Sequence, residues 1–296
     1  MIADEPLISE LTDALRAEAA ELGRQEPLLA PLLQRHISAP IRLDGMLASL
    51  VADTLATVDL PADKLGGLFR SLYADKPELL EIAECDVDAV LRRDPAAGSA
   101  LNVLMNQKGF RAIAAHRLAN HLWTQNRRGL ALYLQGALAR VTGVDIHPAC
   151  LLGRGVMFDH GTGIVIGETC TIDDGVSLLQ GVTLGGTGKE KGDRHPKLGA
   201  GVLIGAGATL LGNIRIGAGA RIGAGSVVLM DIPAGCTAVG VPARVVGRAH
   251  QGAATLPPAE VMDHDVLNLD LCRGKLGSEA SLEAPADGRS RDRLVF

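Results

Sequence analysis

The chain has 296 residues, a net charge of -5 and a pI of about 5.9. That is long enough for two domains of ordinary size, without the basic excess that draws nucleic acid or an anionic membrane. The acidic start MIADEPLISELTDALRAEAAEL lacks the basic beginning and apolar core of a signal peptide. No run approaches the roughly 18 apolar residues of a membrane span. Five scattered cysteines without a CxxC pair suit a reducing compartment better than a disulfide framework or a zinc site, so a cytoplasmic location is expected.

Residues 1–142 read as an all-α domain. ISELTDALRAEAAEL places Ile8, Leu11, Leu15, Ala19 and Leu22 three and four apart, an apolar stripe at helical period. Pro27, Pro40, Pro61, Pro77 and Pro95 punctuate the region at intervals suited to short helices. KGFRAIAAHRLANHLWTQNRRGLALYLQGALAR predicts two longer helices broken between Asn126 and Gly129.

The period then changes. Ile146, Leu152, Phe158 and Ile164 lie six apart; after a two-residue slip, Ile166, Ile172, Leu178 and Leu184 keep that spacing. After a longer break it resumes at Leu198, Ile204, Leu210, Ile216, Ile222 and Val228. Of 36 glycines, 24 lie between Gly143 and Gly247, and aromatics make up only 2% of the chain, so the core must be small and aliphatic. A six-residue repeat fits neither a helix nor a hairpin and predicts a parallel β-helix, three hexads closing one 18-residue coil. A flexible glycine linker would not hold aliphatic residues at such regular positions. The expected fold class is α+β, an N-terminal helical domain followed by a parallel β-helix of hexapeptide repeats, left-handed as such repeats are in the known families that carry them. The expected division is 1–142 helical, 143–247 β-helix and 248–296 a flexible tail, rich in Ala, Asp, Glu, Pro and Gly.

Leu184 to Leu198 spans 14 residues where one hexad takes six. The surplus must leave the coil as a loop within GGTGKEKGDRHPK, and a charged, glycine-hinged excursion is a natural seat for function. Three acid–histidine groups accompany it: Asp145 with His147, Asp159 with His160, and Asp193 with Arg194 and His195. Asp145 and His160 are 15 residues apart, near one coil, which makes a carboxylate–imidazole dyad reasonable. A neutral imidazole can take the proton of an alcohol attacking a carbonyl, and a carboxylate on its other nitrogen fixes the tautomer. The same residues could merely cap tight corners. Alternatively His147, His160 and His195 could hold zinc, as three histidines do in γ-class carbonic anhydrases.

DIHP (145–148), FDHGTGIVIGET (158–169), TLGGTGK (183–189) and DRHPK (193–197) resemble serine acetyltransferase, as do RRDPAA (92–97) and KGFRAIAAHRLANHLW (108–123) upstream. The resemblance runs from roughly Ile41 to Arg248. It implies transfer of acetyl from acetyl-CoA, a co-substrate, to L-serine, the first step of cysteine biosynthesis, with no tightly bound cofactor and no metal. By the matched motifs His160 is the general base and Asp145 its orienting carboxylate. His195 and Arg194 face the serine carboxylate or the developing oxyanion, while Asp94 and Asp159 receive the ammonium. Gly186, Ala206 and Ala224 admit the pantetheine, and Arg244 is a candidate for the CoA phosphates. The resemblance also implies a homotrimer, usually paired into a hexamer, and inhibition by L-cysteine in the serine site. A family tail that docks into O-acetylserine sulfhydrylase typically ends in isoleucine, whereas this chain ends RLVF. A sugar- or amine-directed hexapeptide acetyltransferase would lack the matched RDPA and DRHPK. A non-catalytic scaffold would have no reason to keep acid, base and extruded loop together.

Overall fold

The computed structural model describes residues 5–188, 191–248 and 256–262. Helices fill the first part: α1 (Glu5–Gln25), α2 (Ala30–Leu33), α3 (Leu43–Leu55), α4 (Ala62–Asp75), α5 (Glu78–Arg93), α6 (Ala100–Asn106), α7 (Lys108–Thr124) and α8 (Arg128–Thr142). Pro61 and Pro77 stand at the N-caps of α4 and α5, where a missing N–H costs no intrahelical bond. On α1, Leu15 and Ala19 are buried and Leu11 and Leu22 pack against the core, as the stripe predicts. None of the described helices is long and apolar enough to cross a membrane.

From Asp145 the chain winds into a left-handed parallel β-helix. Its first coils run β1 (Asp145–Ile146), β2 (Leu151–Leu152), β3 (Met157–Phe158), β4 (Val165–Ile166), β5 (Thr171–Ile172), β6 (Ser177–Leu178) and β7 (Thr183–Gly185). Past the extruded loop come β8 (Lys197–Leu198), β9 (Leu203–Ile204), β10 (Thr209–Leu211), β11 (Arg215–Ile216), β12 (Arg221–Ile222) and β13 (Val227–Val228). The first face stacks β1, β4, β7, β10 and β13, and the second β2, β5, β8 and β11. The third stacks β3, β6, β9, β12 and then β14 (Cys236–Gly240), closed by antiparallel β15 (Ala243–Arg248). Of the fourteen hexad positions only Leu152 is half-buried; the rest are at most 3% exposed. Each such side chain is worth about 1.5–3 kcal/mol of apolar transfer, so the periodic positions are the core of the prism.

One register differs from the spacing. Ile164 is buried but precedes β4, whose inward residue is Ile166. The two extra residues therefore enlarge the corner between Phe158 and Val165, the corner that carries Asp159 and His160. Asp145 accordingly pairs with Val165, so that coil takes 20 residues.

The helical part is fastened to the prism by buried polar groups. Arg117 pairs with Asp86 at 2.8 Å and donates to the carbonyls of Leu152 (3.1 Å) and Gly153 (2.6 Å). Asp86 also accepts from the Val156 N–H at 3.0 Å. Burial raises the Asp86 pKa to about 6, with Arg117 and the backbone donors pulling the other way. Gly109 of α7 lies so close to the Phe158 carbonyl that a Cβ would sit 1.9 Å from its oxygen; only glycine lets the helix reach that corner.

The flexible tail expected over 248–296 needs correcting where it is described. Residues 256–262 pack back onto the molecule through α9 (Pro258–Val261). Glu260 forms ion pairs with Arg92 and Arg93. Arg93 is 1% exposed and also donates to the Gly155 carbonyl at 2.9 Å. A buried guanidinium needs a counter-charge, and Glu260 brings one; composition alone does not reveal this. The remainder of the tail, including the Leu294–Val295–Phe296 tip, lies outside the described residues.

Candidate active site

Two edges of the prism carry the polar residues. At the edge where the third face turns into the first, His160 takes a left-handed conformation (φ 55°) and leaves 75% of its side chain exposed. A non-glycine residue held at positive φ is uncommon and concentrates at functional positions. Its Nε2 lies 4.0 Å from Asp159 Oδ1. Asp94 is held against the N-cap residue of α7: its Oδ2 accepts from Gln107 Nε2 at 2.8 Å and its Oδ1 from the Ala96 N–H at 2.8 Å. Lys108 next to that glutamine bonds Thr162 in the enlarged corner. Asp145 begins β1 on the border of this edge, and its Oδ1 accepts from Gln135 Nε2 at 2.7 Å. Among the described residues no hydrogen bond or ion pair joins Asp145 to His160, so the expected dyad is not closed within one chain.

The same edge continues down the prism. Gln180, Ala206 and Ala224 occupy its successive corners, bonded coil to coil by Gly207 N–H to the Gln180 carbonyl (2.9 Å) and Gly225 N–H to the Ala206 carbonyl (2.8 Å). Among the described residues the buried Gln180 Oε1 has no hydrogen-bond partner. Arg244, exposed, pairs with Val239 where the edge ends. From His160 to that point are four coil steps of about 4.8 Å each, with the small Ala206 and Ala224 along them and a cation at the end.

The other edge, where the first face turns into the second, holds the return of the extruded loop. Arg194 donates to Glu168 Oε2 at 2.9 Å, and this bond is the main cause that lowers the Glu168 pKa. His195 is 7% exposed, its Nδ1 beside the Thr169 hydroxyl (2.8 Å) and N–H (3.2 Å). Burial first, then Arg194 and Lys197, lower its pKa, against Glu168. Gly186 lies here, 3.4 Å from Arg194 for an added Cβ. His147 occupies the preceding coil, its ring edge-on to Trp123 at 5.0 Å, and burial lowers its pKa. Among the described residues no three ligating side chains cluster for a metal; within the chain His160 stands on one edge, His147 and His195 on the other.

The structure thus groups Asp94, Asp159, His160, Ala206, Ala224 and Arg244 on or beside one edge and Gly186, Arg194 and His195 on the other, separated by the first face. Glu168, Thr169 and Gln135 are additions that sequence reasoning missed. The signal available was the ET of GET, held in the coil just before the loop.

Comparison with known proteins decides the family. The profile described as "Serine acetyltransferase, N-terminal" matches residues 11–115, and that of "Bacterial transferase hexapeptide (six repeats)" matches 195–229. The chain is 50% identical over 234 residues to a serine acetyltransferase of Haemophilus influenzae, covering 79% of this chain and 88% of that one. The chain belongs to the serine acetyltransferases. A serine acetyltransferase structure in complex with cysteine superposes with TM-score 0.83 at 47% identity, covering 86% of this chain and 98% of the other. Another, from Brucella abortus with coenzyme A, gives TM-score 0.80 at 44% identity, covering 81% and 96%. The enzyme is an acetyl-CoA-dependent serine O-acetyltransferase, and the two edges carry the residues that its family motifs bring along.

Proposed function

We propose that the His160 edge of one subunit meets the Arg194–His195 edge of its neighbour in a homotrimer, and that acetyl passes there from acetyl-CoA to L-serine. The observation behind this reading is the split itself. A candidate base and the groups suited to a carboxylate border the same flat face from opposite sides. A closed prism has no lateral strand edges, so copies meet face to face around an axis parallel to it, and rotation brings one border against the other.

In that interface Asp94 and Asp159 receive the serine ammonium, and Arg194, held by Glu168, grips the carboxylate with two parallel bonds. His160 takes the proton from the serine hydroxyl as its oxygen attacks the acetyl carbonyl carbon. The new C–O bond forms, the C–S bond breaks, and the proton passes on to the CoA sulfur. The products are O-acetyl-L-serine and CoA. Gln135 holds one oxygen of Asp145 at 2.7 Å, which leaves the other to orient the imidazole. Acetyl-CoA lies along Gly186, Ala206 and Ala224, its phosphates toward Arg244.

Cysteine, which differs from serine by a thiol for a hydroxyl, occupies the same place and inhibits. The helical parts pair two trimers into a hexamer. The cytoplasm is the compartment that suits the free thiols of Cys85, Cys150, Cys170 and Cys236. Incubation with acetyl-CoA and a panel of acceptors, following thiol release, tests the reading. Serine should be acetylated and homoserine and galactosides left alone; equal turnover of homoserine would overturn it.

A further inference from the structure

Thr169 organises the return of the extruded loop. Its hydroxyl oxygen accepts the N–H of Arg194 at 3.0 Å and of His195 at 3.2 Å, and its carbonyl accepts from Lys197 Nζ at 2.7 Å. An oxygen that already accepts twice has its own hydrogen left to give; His195 Nδ1 stands 2.8 Å away, and the Asp193 carboxylate is the competing acceptor. The Thr169 backbone N–H points at the same nitrogen from 3.2 Å. A ring nitrogen facing two donors is an acceptor, so the hydrogen of the neutral imidazole is on Nε2. Burial, Arg194 and Lys197 favour the neutral ring, with Glu168 the opposing charge and His147 a further neighbour. Nε2 itself lies over Gly167, where a Cβ would stand 2.1 Å from it.

We infer that Thr169 is a positioning residue that locks His195 as the Nε2–H tautomer, so that His195 donates to an anionic oxygen of the substrate and His160 alone of the two accepts a proton. The division of labour rests on the acetyl-transfer reading above; the tautomer does not. The acceptor oxygen is the serine carboxylate or the carbonyl oxygen that becomes negative during attack, and kinetics separate them. Loss confined to the serine KM marks the carboxylate; loss in kcat marks the carbonyl.

The test uses the full-length enzyme labelled with ¹⁵N-histidine, its His195 signal assigned by disappearance in His195→Gln. Long-range proton–nitrogen spectra above neutral pH should show His195 with a bare Nδ1 and a protonated Nε2. Thr169→Val should mix the tautomers and reduce kcat/KM for serine roughly tenfold, less than the 10²–10³ typical of losing a direct donor. Thr169→Ser should restore both. A wild-type His195 protonated on Nδ1, or a Thr169→Val protein, which keeps the backbone N–H, with both tautomer and kcat/KM unchanged, overturns the proposal. If Thr169→Val does not fold, the wild-type and Thr169→Ser spectra still decide the tautomer. A tautomer as expected with unaltered kinetics in Thr169→Val keeps the positioning role and refutes the acetyl-transfer role of His195.

Discussion

His160 and His195 are both imidazoles on prism corners, yet their surroundings differ in nearly every respect. His160 is three-quarters exposed, at positive φ, with Asp159 4.0 Å away. His195 is 7% exposed, bonded on one nitrogen, pressed on Gly167 and flanked by the Arg194–Glu168 pair. The second edge is tied down by hydrogen bonds within its own chain, and burial with Arg194 and Lys197 favours the neutral ring. The first is presented outward, and in the trimer we propose its remaining surroundings come from a neighbour. A proton acceptor must be able to change state during the reaction, whereas a donor to an anion gains from being held rigid.

The largest effect expected from disturbing this contrast is at the exposed ring. His160→Ala should lower kcat by about 10²–10⁴, the usual worth of a positioned general base, while CoA binding survives. Near-normal turnover in the folded variant would remove His160 from the mechanism. At the opposite edge Glu168→Gln should release Arg194 and raise the serine KM, with kcat changed less. Because both partners are partly exposed, the expected rise is about tenfold or below. A larger fall in kcat than in affinity would show that the pair serves the chemical step.

The pKa shifts give a smaller effect with a definite sign. His195 is lowered from 6.5, chiefly by burial. On acidification through that value the unfolded chain takes up a proton that the folded one refuses, so stability falls as pH drops until the folded pKa is passed. Glu168 acts in the same direction lower down. Its lowered pKa contributes stability that is in place above the ordinary 4.5 and fades as pH falls through the folded value. Between about pH 7 and 5.5 the wild-type Tm should therefore decline more than that of His195→Gln. Parallel declines would mean that His195 is not held neutral by the fold.

The smallest expected effect on acetyl transfer comes from the far end of the chain. Removing the last ten residues, with the Leu294–Val295–Phe296 tip, leaves both edges and the docked Glu260 in place, so turnover should not change. The apolar Leu294–Val295–Phe296 segment suits an amino-acid site, and its loss should abolish any association with O-acetylserine sulfhydrylase. Absence of heat on titrating the full-length protein into that partner would leave the tip without this role.

The prism was legible because each coil forces an aliphatic residue inward, which leaves a six-residue mark in the sequence. The count of the slip was legible too, but not its place. Ile164 continues the hexad arithmetically, and only strand pairing assigns the surplus to the corner of His160. His160 and the Arg194–His195 pair were found through motif and charge. Thr169 was not, since its contact to His195 spans 26 residues and crosses the loop that interrupts the period. Glu260 was hidden for a different reason. Its partner Arg93 is buried by tertiary packing, and a lone glutamate in a Pro- and Ala-rich stretch looks like tail. Asp94 was legible only through family likeness, because nothing local in RRDPAA distinguishes it from a helix-ending turn.

Mixing subunits tests most directly whether one site is built from two chains. His160→Ala and His195→Ala each disable one edge, so each homotrimer should be nearly inactive. Any trimer containing both has one interface where an intact His160 edge faces an intact His195 edge. Random assembly from equal amounts should then recover about a quarter of wild-type activity, three-quarters of trimers being mixed with one working site in three. Activity that stays at the mean of the two variants, in trimers shown by mass to be mixed, would place both histidines in a site within a single chain and contradict the account.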